Sequence, residues 1–291
     1  MTTRTFSTVI EHTSDATFRA WALEVSDALA FVGMPKSADT GQINLATAAR
    51  PGTNTAAGYE IRYVDDALHA TAPIYIKIEY GTGSAATRPA MWITVGTGSN
   101  GSGTITGVLL ARQTLTCAST PSTSVPSPTY ACRVGGQFGF AWKSGVLDLG
   151  AFPSMGAFLI SRTTDDDGAD TAAGVSIYAL SPGSYVEATS KLFSGSAYST
   201  GSNRQYCMVP YGLTASLVGA DNQAFRHYAA FPQIRPVVAC VTVLASEVPV
   251  GSTISVTPIG ATPRTYISTG FAGRASCVNG TAAQTLAMIW E

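Results

Sequence analysis

Short runs with a period of two, recurring about every 10–15 residues, constrain this chain more than any other feature. Residues 73–80 read PIYIKIEY, with Ile74, Ile76 and Ile78 on one side and Tyr75, Lys77 and Glu79 on the other. That is the alternation of a half-buried strand. Similar runs lie at 58–64, 91–95, 104–117, 139–142, 157–162, 174–180, 206–209, 237–244, 253–258, 265–267 and 285–290, parted by Gly, Pro and Ser turns. Residues 96–103 (GTGSNGSG) read as a glycine-rich turn between two of them. Many short strands with turn punctuation predict a mainly β chain, a sandwich- or barrel-like domain or domains.

One stretch breaks the pattern. Over residues 14–32 the apolar positions Phe18, Trp21, Ala22, Val25, Leu29 and Val32 follow helical spacing and form one buried stripe. Thr13, Ser14 and Asp15 offer N-caps, and Gly33 followed by Pro35 supplies a stop. The expectation is one N-terminal amphipathic helix whose stripe covers a sheet containing Ile74, Ile76 and Ile78.

Composition narrows the function classes. Ser, Thr and Gly number 28, 36 and 29 of 291 residues, whereas charged residues are 12% of the chain and only four are Lys. A soluble globular surface ordinarily carries about twice that charge. Hydroxyls serve β edges and subunit seams well, because they satisfy backbone groups without the desolvation cost of an ion. The composition therefore points to part of a larger assembly. A net charge of −1 with no basic run argues against a nucleic-acid partner. No apolar stretch approaches the roughly 18–20 residues of a membrane span. The first residues lack a signal-peptide pattern, so synthesis and assembly in a cytoplasm are expected. Five cysteines, Cys117, Cys132, Cys207, Cys240 and Cys277, form no CxxC pair and read as buried thiols. A bridge between Cys117 and Cys132 across a hairpin is the alternative.

Residues 118–128 (ASTPSTSVPSP) are the lowest-complexity segment. They divide the chain into an N-terminal helix-plus-β unit, 1–117, and a C-terminal β-rich unit, 129–291, or else form a long hairpin tip within one continuous domain.

No motif specifies a reaction. Asp165, Asp167 and Asp170 surround Gly168 and are the candidate cation ligands, but the spacing of a calcium loop is missing and an Asp-rich hairpin turn accounts for them. His12, His69 and His227 have no partner at helical spacing, which leaves no short zinc motif. Gly101-Ser102-Gly103 lacks the strand–turn–helix setting of a nucleophile elbow. The glycine pairs there lack a following helix to bind phosphate. Glu60, Asp65, Asp66, Glu79, Asp148 and Glu187 are acids placed mostly at strand ends or turns, where solvated carboxylates are ordinary. No catalytic residue, metal site or cofactor is expected. Tyr178, Tyr185, Tyr198, Tyr206 and Tyr211, with Phe193, cluster in a Ser/Gly-rich stretch. Tyr beside Ser and Gly suits an adaptable binding surface or a loop-rich subunit seam.

Four segments together resemble virion structural proteins of tailed bacteriophages. They are TFRAWALEVSDALAFVGMPKSADTGQINLAT, GYEIRYVDDALHATAPIYIKIEYGTG, MWITVGTGSNGSGTITG and FGFAWKSGVLDLGAFPSMGAFLISRTTDDDG, which fall within residues 14–170. The pattern combines the helix with Trp21, a turn at Thr40-Gly41-Gln42-Ile43, an acidic strand end at Asp65 and a glycine-rich hairpin. The resemblance implies a non-enzymatic tail-tip, baseplate or fibre-attachment component that partners other virion proteins. It also implies a homo-oligomer, with a trimer suited to a tail axis, and a virion location. A receptor-binding protein that contacts a host cell-surface glycan, and a head decoration, are the alternatives.

Overall fold

The computed structural model describes residues 2–9, 12–116, 126–144, 154–164, 169–180, 187–192, 240–244, 251–256, 263–271 and 284–290. Among them the chain is mostly antiparallel strands with one helix. The order is β1 (Thr2–Val9), α1 (Asp15–Phe31), β2 (Thr55–Tyr63), β3 (Tyr75–Thr82), β4 (Pro89–Ser99), β5 (Ile105–Thr116), β6 (Pro126–Val134), β7 (Gln137–Ser144), β8 (Ser154–Thr164), β9 (Asp170–Leu180), β10 (Glu187–Leu192), β11 (Cys240–Leu244), β12 (Thr253–Val256), β13 (Arg264–Phe271) and β14 (Gln284–Ile289). They form a four-stranded sheet β2-β3-β4-β5, a six-stranded sheet β1-β6-β7-β8-β9-β10 and a second four-stranded sheet β11-β14-β13-β12.

The helix forms where its spacing predicts. Ser14 adopts extended backbone as N-cap and its hydroxyl accepts from the Thr17 N–H, while the Thr17 hydroxyl accepts from the Ser14 N–H. This is a capping box with Thr in place of the usual Glu or Gln. Phe18, Trp21, Val25 and Leu29 are buried in one cluster with Ile74, Ile76, Ile78, Met91 and Ile93. The same cluster includes Ala131, Phe138, Phe140, Phe158, Ile160, Val175 and Ile177 of the six-stranded sheet. Helix and both sheets therefore share one core.

The six-stranded sheet has partners on both faces. Along β6 the side chains alternate: the Thr129 hydroxyl donates to the Glu24 carboxylate of α1 at 2.6 Å, and Tyr130 meets Trp290 edge-on with centroids 6.0 Å apart. β6 also begins earlier than the sequence suggests. Pro126, Ser127 and Pro128, within the expected Ser/Pro loop, pair with Val9, Thr8 and Ser7. Ladder pairing with β7 begins only at Thr129, so on that side Pro126 and Pro128 owe no ladder hydrogen bond. The rest of that loop, 118–125, lies outside the described residues, as do Cys117 and residues 206–209.

The glycine-rich turn is also shorter than expected. β4 continues through Gly96 and Gly98 to Ser99, because their missing side chains let β5 lie close: a Cβ on Gly98 would meet the Thr106 hydroxyl. The reversal is confined to residues 100–104, where Gly101 and Gly103 take positive φ and the Asn100 side chain accepts from Ser102 and Thr104 N–H groups.

The two edges of the first sheet are treated differently. The β2 edge is covered by residues 35–43, with hydrogen bonds Tyr63 N–H to Pro35 O, Ser37 N–H to Ile61 O and Ile43 N–H to Tyr59 O. β5 shifts register against β4 twice, carrying an extra residue each time, and such bulges discourage pairing with a further strand.

Candidate functional site

The inner face of β2–β5 places ionisable groups where a site would be expected, and every one is occupied. Glu60 is fully buried in the middle of β2, not at a solvated strand end. Its Oε1 accepts from the Ser26 hydroxyl at 3.0 Å and from Lys36 Nζ at 2.6 Å; its Oε2 accepts from Arg62 Nε at 2.9 Å and from the Tyr80 hydroxyl at 3.0 Å. Arg62, equally buried, uses Nη1 on the Met34 carbonyl and Nη2 on the Ser26 hydroxyl, each at 2.6 Å. Burial pushes the Glu60 carboxyl up, but Arg62 and Lys36 outweigh it and hold the group below its ordinary range. Tyr80 is driven well above the usual phenol range by burial and by the Glu60 charge. A carboxylate with four donors and a phenol locked as donor act as a structural joint between α1, β2 and β3.

A second joint connects the first sheet to the six-stranded one. Arg162 of β8 grips Asp66 with Nε at 2.5 Å and Nη2 at 2.9 Å and donates to the Ala72 carbonyl at 3.0 Å. Arg133 of β6 donates to the Asp65 carbonyl at 2.9 Å and lies 4.7 Å over the Phe138 ring. Its guanidinium fits beside Gly33, whose positive φ and missing Cβ leave the room. Asp170, the candidate cation ligand within the described residues, stands at this joint beside Gly136; burial raises its carboxyl, while Arg162 and Arg133 act in the opposite sense. Two guanidiniums supply positive charge at that position. Among the described residues no group of three or more His, Cys, Asp or Glu has the geometry to hold a metal. Asp165 and Asp167 lie outside the described residues.

His12 is buried just before α1. The single Thr82 hydroxyl proton goes to the Pro51 carbonyl, so that oxygen accepts from His12 Nε2–H across 2.8 Å. Nδ1 is then bare, and it has no hydrogen-bond partner among the described residues. Burial, aided by Arg50, lowers the imidazole to about 4. Asp39 organises the turn at residues 100–104. Burial raises its carboxyl, but hydrogen bonds from Ser37, Ser99 and the Gly103 N–H prevail and leave it below its ordinary value.

The outer face of the same sheet is different. Lys77 lies 4.5 Å over the Tyr59 ring, and the Tyr59 hydroxyl donates to the Thr40 carbonyl. Arg112 grips both Glu79 oxygens and lies 4.5 Å over the Trp92 ring. Beyond these pairs sit three partly exposed rings. Tyr63 and Tyr75 face each other across β2 and β3 with centroids 6.0 Å apart, and His69, from the intervening loop, lies 4.6 Å from Tyr63 and 5.7 Å from Tyr75. Among the described residues neither the Tyr63 nor the Tyr75 hydroxyl has a hydrogen-bond partner.

The tyrosines expected to form a binding surface are not the ones brought together here. Tyr178 falls on β9 but its side chain lies outside the described residues, and Tyr185, Tyr198, Tyr206 and Tyr211 lie outside them altogether. The outer cluster was visible only as the second face of the alternating β3 run, with Tyr75 on it, and as Tyr63 at the same parity on β2. No protein-family model, curated protein or solved structure matches the chain.

Proposed function

We propose that the chain is a structural component of a tailed-bacteriophage particle, at the tail tip, baseplate or fibre attachment, and that it acts through assembly rather than catalysis. The observation that carries this reading is the occupancy of the buried ion pairs among the described residues. Glu60, Arg62, Asp66 and Arg162 each have their charged atoms bound to other protein groups, at positions that tie helix, sheets and loops together. The charge-poor, hydroxyl-rich composition and the resemblance over residues 14–170 support the same reading. Leu23 and Val108 are the large hydrophobics exposed among the described residues. The hydroxyl-rich composition and low charge support association, with a homotrimer as the expected unit and other virion proteins as partners.

The shared core of α1 and the two facing sheets supports a sandwich architecture for this assembly unit. No helix of the described residues is long and apolar enough to cross a membrane. The test is mass spectrometry of gently purified particles of the virus that encodes the chain, which should contain it in several copies; its absence would remove the proposal. Electron microscopy of particles carrying a label on this protein separates the tail location from head decoration.

A further inference from the structure

We propose that Tyr63, His69 and Tyr75 form a contact site for a neutral saccharide. Four tyrosines lie on β2 and β3. Tyr80 and Tyr59 use their hydroxyls on Glu60 and on the Thr40 carbonyl, so both are part of the framework. Tyr63 and Tyr75 have no such hydroxyl partner among the described residues, and both are partly exposed. The three rings are tilted by 38°, 41° and 45° to one another, which makes a facetted surface, not a flat stack. Tilted aromatic faces with hydroxyls at their rims match the C–H faces and equatorial hydroxyls of a pyranose.

The site is held in place before any ligand arrives. The loop bearing His69 is fixed by the two bonds of Arg162 to Asp66, by the Leu68 N–H on Asp66 Oδ1 and by the Ala72 N–H on the Leu68 carbonyl. Such preorganisation lowers the ordering cost of a weak contact. Charge selects the ligand class. On this face Lys77 is engaged over Tyr59 and Arg112 is paired with Glu79, whereas Asp65 is exposed two residues beyond Tyr63. A phosphate- or carboxylate-bearing ligand finds no unengaged cation there among the described residues, while a hydroxyl-rich neutral one needs none.

The experiment applies the full chain to an array of neutral and sialylated oligosaccharides, with choline as a separate probe, and follows hits by saturation-transfer NMR. Binding of a neutral oligosaccharide at ~1 mM or below is expected. Tyr63→Ala and Tyr75→Ala should each weaken it at least tenfold with an unchanged melting temperature, and Tyr75→Phe, which keeps the ring, should weaken it less. If an alanine variant loses stability, His69→Ala and Tyr75→Phe decide by the same affinity readout. No neutral saccharide bound, binding indifferent to all of these variants, or a preference for choline or sialylated glycans would each overturn the proposal. The assembly reading is measured separately, through particle content and molar mass, so failure of one is distinguishable from failure of the other.

Discussion

The two faces of the sheet β2–β5 are built from the same strands and carry the same kinds of residue, yet they treat polar groups in opposite ways. On the inner face Glu60, Arg62, Tyr80 and Ser26 form a network in which every charged atom is bonded. On the outer face Tyr63 and Tyr75 keep their hydroxyls without a partner among the described residues. The difference is a matter of solvent. A buried ion lacking a partner costs several kcal/mol, so an inner network must be complete, whereas water completes an outer one. Function that depends on contact with another molecule can draw only on the second kind of group.

The largest test of that contrast is to break the inner network. Arg62→Ala leaves the Glu60 carboxylate buried with fewer donors and should lower stability by about 3–5 kcal/mol in denaturant titration. The double replacement Glu60→Leu with Arg62→Met should cost less than Arg62→Ala alone, because no uncompensated charge remains. Equal losses would mean that packing, not charge, sets the cost. Trp21→Ala removes the ring that packs edge-on to Tyr80 with centroids 6.1 Å apart, and should cost about 3–5 kcal/mol as a buried core deletion. An unchanged melting temperature would contradict the place of Trp21 in the shared core.

Acid provides an intermediate effect. The unfolded chain protonates His12 near the ordinary 6.5, while the folded chain does so only at about 4. The unfolded state therefore binds more protons in between. The His12 contribution is complete above pH 6.5 and is lost progressively as pH falls to about 4, to a total of up to about 3 kcal/mol. Glu60, depressed, adds its own loss at lower pH, through and below the ordinary carboxylate range. Stability curves of the parent and of His12→Gln should diverge in slope between pH 6.5 and 4; parallel curves would remove His12 from the account. The smallest effects belong to the outer face. Glu79→Gln, which weakens a half-exposed pair with Arg112, should change stability by less than about 1 kcal/mol.

What could be read before the coordinates follows the same division. The helix was legible because its stripe, cap and stop residues agree, and β3 because Ile74, Ile76 and Ile78 alternate with polar residues. β6 was not, since Pro126 and Pro128 imitate a linker; they are tolerated there because the ladder pairing with β7 begins only at Thr129. The ion network was hidden for a different reason. Glu60 and Arg62 share the inward parity of β2, and polar residues at inward positions read as solvated unless the partners from residues 26, 36 and 80 are known to converge. Asp66 looked like a turn acid, and only its distant partner Arg162 makes it a joint. The tyrosines singled out by composition, Tyr178 to Tyr211, share a neighbourhood in sequence. Tyr63, His69 and Tyr75 meet through strand register, which composition does not encode.

The proposed function is that this chain works by presenting surfaces to other chains, its own copies first. Light scattering on the purified 291-residue chain measures that directly. The account predicts a molar mass that is a whole multiple of the 30.1 kDa chain, three for the expected trimer, and unchanged on dilution. A single 30.1 kDa species that persists at high concentration would contradict it.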